Sequence, residues 1–166
     1  MFLAYSRFIF FLAFFVAALV MGASLYLEFG VGLEPCWLCF VQRGFLLVFG
    51  VVNLMGYVHK PGRTGVLMYS VVSTLLALGG TASALRQVVI QSAPPERLMF
   101  CQPDLACMWR ILSPGDMFSV IYRGSEACAR IRWTLFDLSI AELSLLAFVG
   151  LFVLSSCQIL RAIFYR

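Results

Sequence analysis

Pro35-Cys36-Trp37-Leu38-Cys39-Phe40-Val41-Gln42-Arg43 joins a short acidic loop to a long apolar run. Two cysteines three residues apart stand at the join, and a glutamine and an arginine follow inside the run. Proline loses nothing at the first position of a helix, because that N–H has no intrahelical acceptor. The stretch therefore predicts a helix that opens at Pro35. Cys36 and Cys39 then lie in its first turn, where orphan N–H groups and the helix dipole favour a thiolate. Cys39 and Arg43 are spaced i, i+4 and share one face, so a guanidinium one turn deeper favours the thiolate further. An arginine inside an apolar span is costly unless it is engaged, and its default reading is functional. The plainer alternative is a snorkelling arginine beside two cysteines that pack as small hydrophobes.

The apolar run is one of four. Of 166 residues, 62% are hydrophobic and only 12% charged, and the mean hydropathy is +0.95. That composition excludes an ordinary soluble domain and predicts an all-α membrane protein. Crossing a bilayer takes roughly 20 apolar residues per helix. Windows at 8–27, 40–58, 65–85 and 142–160 qualify, which predicts a single four-transmembrane-helix bundle over 1–166 with outer loops at 28–39 and 91–140. The first window is longer than the apolar core of a signal peptide and another span follows closely, so it is read as a retained helix.

Charge sets the expected orientation. Arg7, Lys60, Arg63, Arg161 and Arg166 flank the short ends on one side, while Glu28 and Glu34 lie in the first loop on the other. Segment 91–140 carries five arginines and five acids and is neutral. The positive-inside rule then places both termini and the 59–64 turn in the cytoplasm. The net charge of +4 forms no basic stripe, so it gives no sign of nucleic-acid binding. Cys36, Cys39, Cys101, Cys107 and Cys128 all fall on the outward side, and only Cys157 lies near the inner end of a span. Thiols gathered on the oxidising face point to redox work there.

Most other features read as packing. The phenylalanines of the first span and the small residues from Ala17 to Ser24 carry no assigned chemistry, and Asn53 reads as interhelical glue. His59 lies in the inner turn, remote from the cysteines, and is given no catalytic role. Arg86 and Gln87 arrive at the outer end of the third span, level with the start of the second. They either line a headgroup-level pocket or, for Arg86, reach lipid phosphates. Glu142 is an ordinary dipole partner of the fourth helix. The outer loop holds many large apolar groups, and 105–112 and 116–123 read as short helices lying on the membrane surface. Such a loop can carry Cys101 and Cys128 to and from Cys36 and Cys39.

Four outward cysteines also raise the question of zinc. Structural zinc sites use two close pairs, or a close pair with histidines. Here there is one close pair and no outward histidine, so no metal is expected. A c-type haem needs C-x-x-C-H, and Phe40 stands at the histidine position. A redox pair fits better, because C-x-x-C at a helix N-terminus is how thiol–disulfide enzymes lower a thiol pKa. Two dithiol pairs that exchange partners form a relay from an outside thiol to an acceptor beside Cys39. At membrane depth that acceptor is lipophilic and takes two electrons, as a membrane quinone does. A reversed flow, exporting reducing power, would need an inner dithiol, and Cys157 stands alone there.

These marks resemble the DsbB family of bacterial inner-membrane disulfide oxidases. The resemblance covers the whole chain and rests on Pro35-Cys36-Trp37-Leu38-Cys39 with Gln42-Arg43, on Cys101-Gln102-Pro103, and on Gly124-Ser125-Glu126-Ala127-Cys128-Ala129 followed by Trp133. It implies a periplasmic DsbA-like thiol oxidase as partner, a link that the DsbA–DsbB–quinone chain already describes. The implied cofactor is ubiquinone, with menaquinone as the alternative. The implied catalytic residues are Cys36, Cys39, Cys101 and Cys128, with Arg43 and Gln42 at the quinone. In that scheme Cys101–Cys128 is the loop disulfide, and Cys101 takes the mixed disulfide with the partner. Cys128 then exchanges with Cys36 and frees Cys39. This loop carries three cysteines where the family pattern has two. Cys101 matches better through Pro103, and Cys107 is either the alternative partner of Cys128 or an extra resolving thiol. The non-enzymatic alternative is a tetraspan scaffold whose loop disulfide is a staple.

Overall fold

Each long apolar window of the sequence is a helix in the computed structural model, which describes residues 2–32, 36–91, 134–135 and 138–164. Helices α1 (Phe2–Phe29), α2 (Trp37–His59), α3 (Arg63–Gln91) and α4 (Ile140–Phe164) all run past their windows at both ends. All four are long and apolar enough to cross a membrane. The only sheet among the described residues is a two-residue antiparallel ladder. It pairs β1 (Thr134–Leu135) with β2 (Leu138–Ser139) immediately before α4. The surface helices expected at 105–112 and 116–123 lie outside the described residues.

The side chains are sorted as a lipid solvent demands. The face of α3 turned inward carries Val66, Ser70, Ser73, Ala77, Gly80, Ala84 and Gln87, and its outer face exposes Met68, Val72, Leu75 and Leu85. On α2 the exposed stripe is Leu47, Val51, Leu54 and Val58. Hydrocarbon is as apolar as leucine, so helices associate through close packing and interhelical hydrogen bonds, and small and polar residues go inside. Gly80 illustrates the closeness: a Cβ there would collide with the Phe148 ring of α4. Gly79 faces Phe45 of α2 in the same way, at 2.6 Å from ring to ideal Cβ. Asn53 of α2 donates to Ser73 Oγ at 3.0 Å and to its own Phe49 carbonyl at 2.8 Å, as interhelical glue should. Gln158 of α4 donates to the Ser6 carbonyl of α1 at 3.3 Å. Each helix therefore packs on its two neighbours, and α4 closes on α1.

The helix ends are stitched by local chemistry. Lys60, in the left-handed region at φ 49°, closes α2 and turns the chain into α3 within three residues. Arg63 then donates to the Ala162 and Ile163 carbonyls at 2.8 and 2.9 Å. This cation satisfies acceptors that the end of α4 leaves without intrahelical partners. At the opposite end Ser139 and Glu142 form a reciprocal capping box. Ser139 N donates to Glu142 Oε2 at 2.7 Å, and Glu142 N donates to Ser139 Oγ at 3.3 Å. Glu142 is thus a specific N-terminal cap and not only a dipole partner. Ser139 Oγ also donates to Gln91 Oε1 at 3.0 Å, tying the end of α3 to the start of α4. Ser139→Ala is expected to cost about 1 kcal/mol, read as an earlier midpoint when the detergent-solubilised protein is titrated with denaturant.

Candidate active site

The first turn of α2 opens two residues later than the Pro35 start expected from the sequence. Cys36 is extended, at φ −84° and ψ 168°, and occupies the N-cap position, so Trp37 is the first helical residue. The Cys36 carbonyl already accepts from Cys39 N at 3.0 Å and from Phe40 N at 3.3 Å. The chain enters the helix at the cysteine because that carbonyl begins the ladder while its own φ and ψ remain outside it. The shift leaves Cys36 and Cys39 together at the N-terminus of the helix, with their sulfurs 3.2 Å apart. Both are thiols in this structure; Cys36 is buried and Cys39 half-buried. A disulfide needs about 2.05 Å between sulfurs, so small side-chain movements separate the two states.

One polar network meets the sulfurs, and a second gathers around Arg43, one helical turn beyond Cys39. On the α3 side stands Gln87, only 5% exposed. Its Nε2 lies 3.5 Å from Cys39 Sγ and 3.6 Å from Cys36 Sγ, within donor distance of both. Gln42, equally buried at 5%, donates from Nε2 to Gln87 Oε1 at 2.7 Å. The Cys39 thiol can also donate weakly to that oxygen, at 3.9 Å. On the α1 side stands Arg43. Its Nε donates to Ser24 Oγ at 2.8 Å, one terminal nitrogen donates to the Ser24 carbonyl at 2.9 Å, and the other forms an ion pair with Glu28. The guanidinium also lies over the Phe40 ring, 5.8 Å from its centroid.

Cys36, Cys39, Gln42 and Arg43 thus converge at one end of the bundle, and α1, α2 and α3 all contribute to the assembly. Cys101, Cys107 and Cys128 lie outside the described residues. Three residues enter beyond the cysteines, Gln42 and Arg43: Gln87, which the sequence offered with Arg86 as one of two readings, a pocket lining, and Ser24 and Glu28, which it did not place at the site. Gln87 carried a signal, as a polar residue in an apolar span level with the cysteines. Glu28 stood out only as a marker of sidedness, and Ser24 read as a packing residue. Their roles depend on the register between neighbouring helices, which sequence spacing within one helix does not encode.

A dithiol at the mouth of a tetraspan helical bundle, flanked by buried amides and an engaged arginine, defines an integral-membrane thiol protein. Residues 6–158 match the family model described as "Disulfide bond formation protein DsbB". The chain belongs to the DsbB family. It is 46% identical over 159 residues to disulfide bond formation protein B 1 of Pseudomonas aeruginosa, covering 96% of this chain and 98% of the relative. Disulfide bond formation protein B 2 of Pseudomonas fluorescens is 44% identical over 161 residues, covering 97% and 88%. Disulfide bond formation protein B of Methylococcus capsulatus is 36% identical over 153 residues, covering 92% and 93%. Family and relatives agree on the formation of disulfide bonds as the activity.

Proposed function

We propose that this protein reoxidises a periplasmic DsbA-like dithiol oxidase and passes the electrons to ubiquinone, from the bacterial inner membrane with both termini cytoplasmic. The observation that carries the proposal is the Cys36–Cys39 pair, 3.2 Å apart at a helix N-terminus at one end of a bundle of membrane-length helices. A structural staple elsewhere in the molecule would not need it. Arg7, Arg63 and Arg161 at the opposite end support the orientation.

The proposed sequence starts with a Cys101–Cys128 disulfide, both residues lying outside those described. A partner thiolate attacks Cys101, a new partner–Cys101 disulfide forms, and Cys128 leaves as a thiolate. The partner's second thiolate then attacks the mixed disulfide, so the partner departs oxidised and Cys101 is released. Cys128 attacks a Cys36–Cys39 disulfide at Cys36, displacing Cys39 as a thiolate, and Cys101 closes on Cys128 to free Cys36. Each exchange breaks one S–S bond and forms one, and the two electrons taken from the partner end on Cys36 and Cys39 as a dithiol. Direct exchange between the partner and Cys36–Cys39 is a shorter form of the same chemistry.

A bound quinone would supply a two-electron, two-proton acceptor soluble in the bilayer. The side chains here suit one. Gln42 and Arg43 are polar groups within an apolar span beside the sulfurs, and three of the five guanidinium N–H groups go to α1. Among the described residues this leaves two donors of Arg43 for a carbonyl oxygen or a thiolate. Gln42 and Arg43 are therefore assigned to hold the quinone, and the positive charge of Arg43 favours Cys39 as the thiolate.

The test follows loss of quinone absorbance when reduced DsbA-like partner and a soluble ubiquinone analogue are mixed with purified protein. Turnover should vanish in Cys39→Ser and survive in Cys107→Ser, which also identifies Cys101 as the partner of Cys128. No turnover by wild type with competent partner and quinone would overturn the oxidase reading and leave a disulfide-stapled scaffold. Loss of turnover in Cys107→Ser with retention in Cys101→Ser would move the loop pair to Cys107–Cys128.

A further inference from the structure

The amide of Gln87 sits astride the two sulfurs, and its oxygen is engaged from the other side by Gln42. An amide can present either its oxygen or its NH2 to a neighbour. An oxygen opposes a thiolate and an NH2 stabilises it. Gln42 Nε2 is a donor only, and it occupies Gln87 Oε1 at 2.7 Å. With its oxygen accepting there, Gln87 turns its NH2 toward Cys36 and Cys39, at 3.6 and 3.5 Å, closer than its oxygen, which lies 3.9 Å from Cys39 Sγ. Both glutamines are about nineteen-twentieths buried, so water does not compete for either amide. We propose that Gln87, oriented by Gln42, is the positioning residue that sets the thiolate character of the Cys36–Cys39 pair through a neutral hydrogen bond from α3. The proposal rests on the redox reading of that pair but not on the quinone or the partner.

The physical case turns on where charge appears. When Cys36–Cys39 is reduced and one thiol loses its proton, the negative charge falls on a sulfur already facing the Gln87 NH2. A hydrogen bond to a charged acceptor is roughly twice as strong as a neutral one. The disulfide, which carries no charge, gains little from the same donor. Gln87 therefore favours the reduced, ionised pair over the oxidised one. Arg43 acts from the other side as a full charge whose field is partly offset by Glu28, so a neutral donor close to the sulfurs is not redundant with it.

The experiment uses the full chain with Cys101, Cys107, Cys128 and Cys157 replaced by serine, leaving Cys36 and Cys39 as the only thiols. Two quantities are read without quinone or partner: the rate of alkylation by iodoacetamide at pH 7, and the equilibrium of the pair with reduced and oxidised glutathione. Gln87→Leu is expected to slow alkylation about tenfold, as loss of a charge-assisted hydrogen bond implies, and to shift the glutathione equilibrium toward the disulfide. Gln42→Leu should act in the same direction while leaving Gln87 in place, because it removes the donor that holds the Gln87 oxygen and adds no charge near the sulfurs. The double variant should lose little more than either single one. A merely structural role predicts the opposite sign for alkylation, since loosening the packing exposes Cys36, now 4% exposed. Faster alkylation in Gln87→Leu, or an unchanged rate and equilibrium in Gln42→Leu, would overturn the proposal. Neither result depends on quinone turnover, so the oxidase reading and this one fail separately.

Discussion

Arg43→Met is expected to lower the proposed quinone reduction about a hundredfold, with most of the loss in kcat, the size seen when one preorganised electrostatic donor is removed from a reacting centre. The argument begins with what holds the guanidinium. Ser24 supplies its hydroxyl and its carbonyl, and Glu28 its carboxylate, all from the last turns of α1. This fixes a positive charge one turn below Cys39 at little further entropic cost when the thiolate forms. Arg43→Lys keeps the charge but not the planar fork that reaches three acceptors at once, so it should recover only part of the activity. Methionine also strands Glu28, which is 21% exposed, and an unpaired carboxylate there would loosen α1 from α2. The double variant Glu28→Gln with Arg43→Met separates these effects. It should regain the thermal stability of wild type without regaining turnover. Near-normal kcat in Arg43→Met would show that the arginine only ties α1 to α2.

Gly80→Val carries the largest expected effect on stability. An added Cβ meets the Phe148 ring at its edge and the bundle has no room to yield, since Phe148 and Leu151 are buried in the same cluster as Ala77 and Ala84. Overpacking of this kind costs about 2 kcal/mol. Reversible unfolding in mixed micelles, followed by loss of helix, should show it directly. Phe148→Ala removes the obstructing ring, so adding it to Gly80→Val should cost much less than it costs alone. Strict additivity of the two substitutions would mean that α3 and α4 do not meet through this pair. Turnover should fall together with stability in Gly80→Val, because the same helix presents Gln87 to the sulfurs.

The helices were legible because a bilayer imposes one requirement on every span, a run of apolar residues long enough to cross. Cys36, Cys39, Gln42 and Arg43 were legible because their spacing puts them on one short helical segment. What could not be read is what faces what across helices. Arg43 belongs to the Cys39 face by spacing, yet its recorded hydrogen bonds and ion pair run to Ser24 and Glu28. Gln87 stands 48 residues from Cys39 in the chain, and only the α2–α3 register brings them together. The Pro35 start was wrong by two residues for a local reason. Proline at the first position is a preference, and the extended Cys36 with its carbonyl already engaged decided the boundary. Ser139 and Glu142 form an S-x-x-E pattern, so their reciprocal cap is legible in the sequence itself.

The inner face of α3 works as a ruler. Ser73, Gly80 and Gln87 follow one another at intervals of seven, two helical turns each, on a single buried stripe. The first takes the amide of Asn53, the second admits the ring of Phe148, and the third meets the two sulfurs. One residue added or removed between Gly80 and Gln87 would rotate the amide about 100° off the sulfurs while leaving the rest of the seam in register. A full heptad would restore the angle but displace the amide about 10 Å along the axis. Length drift in this helix is therefore forbidden in both senses, so α3 can vary freely in its lipid-facing side chains but not in its count.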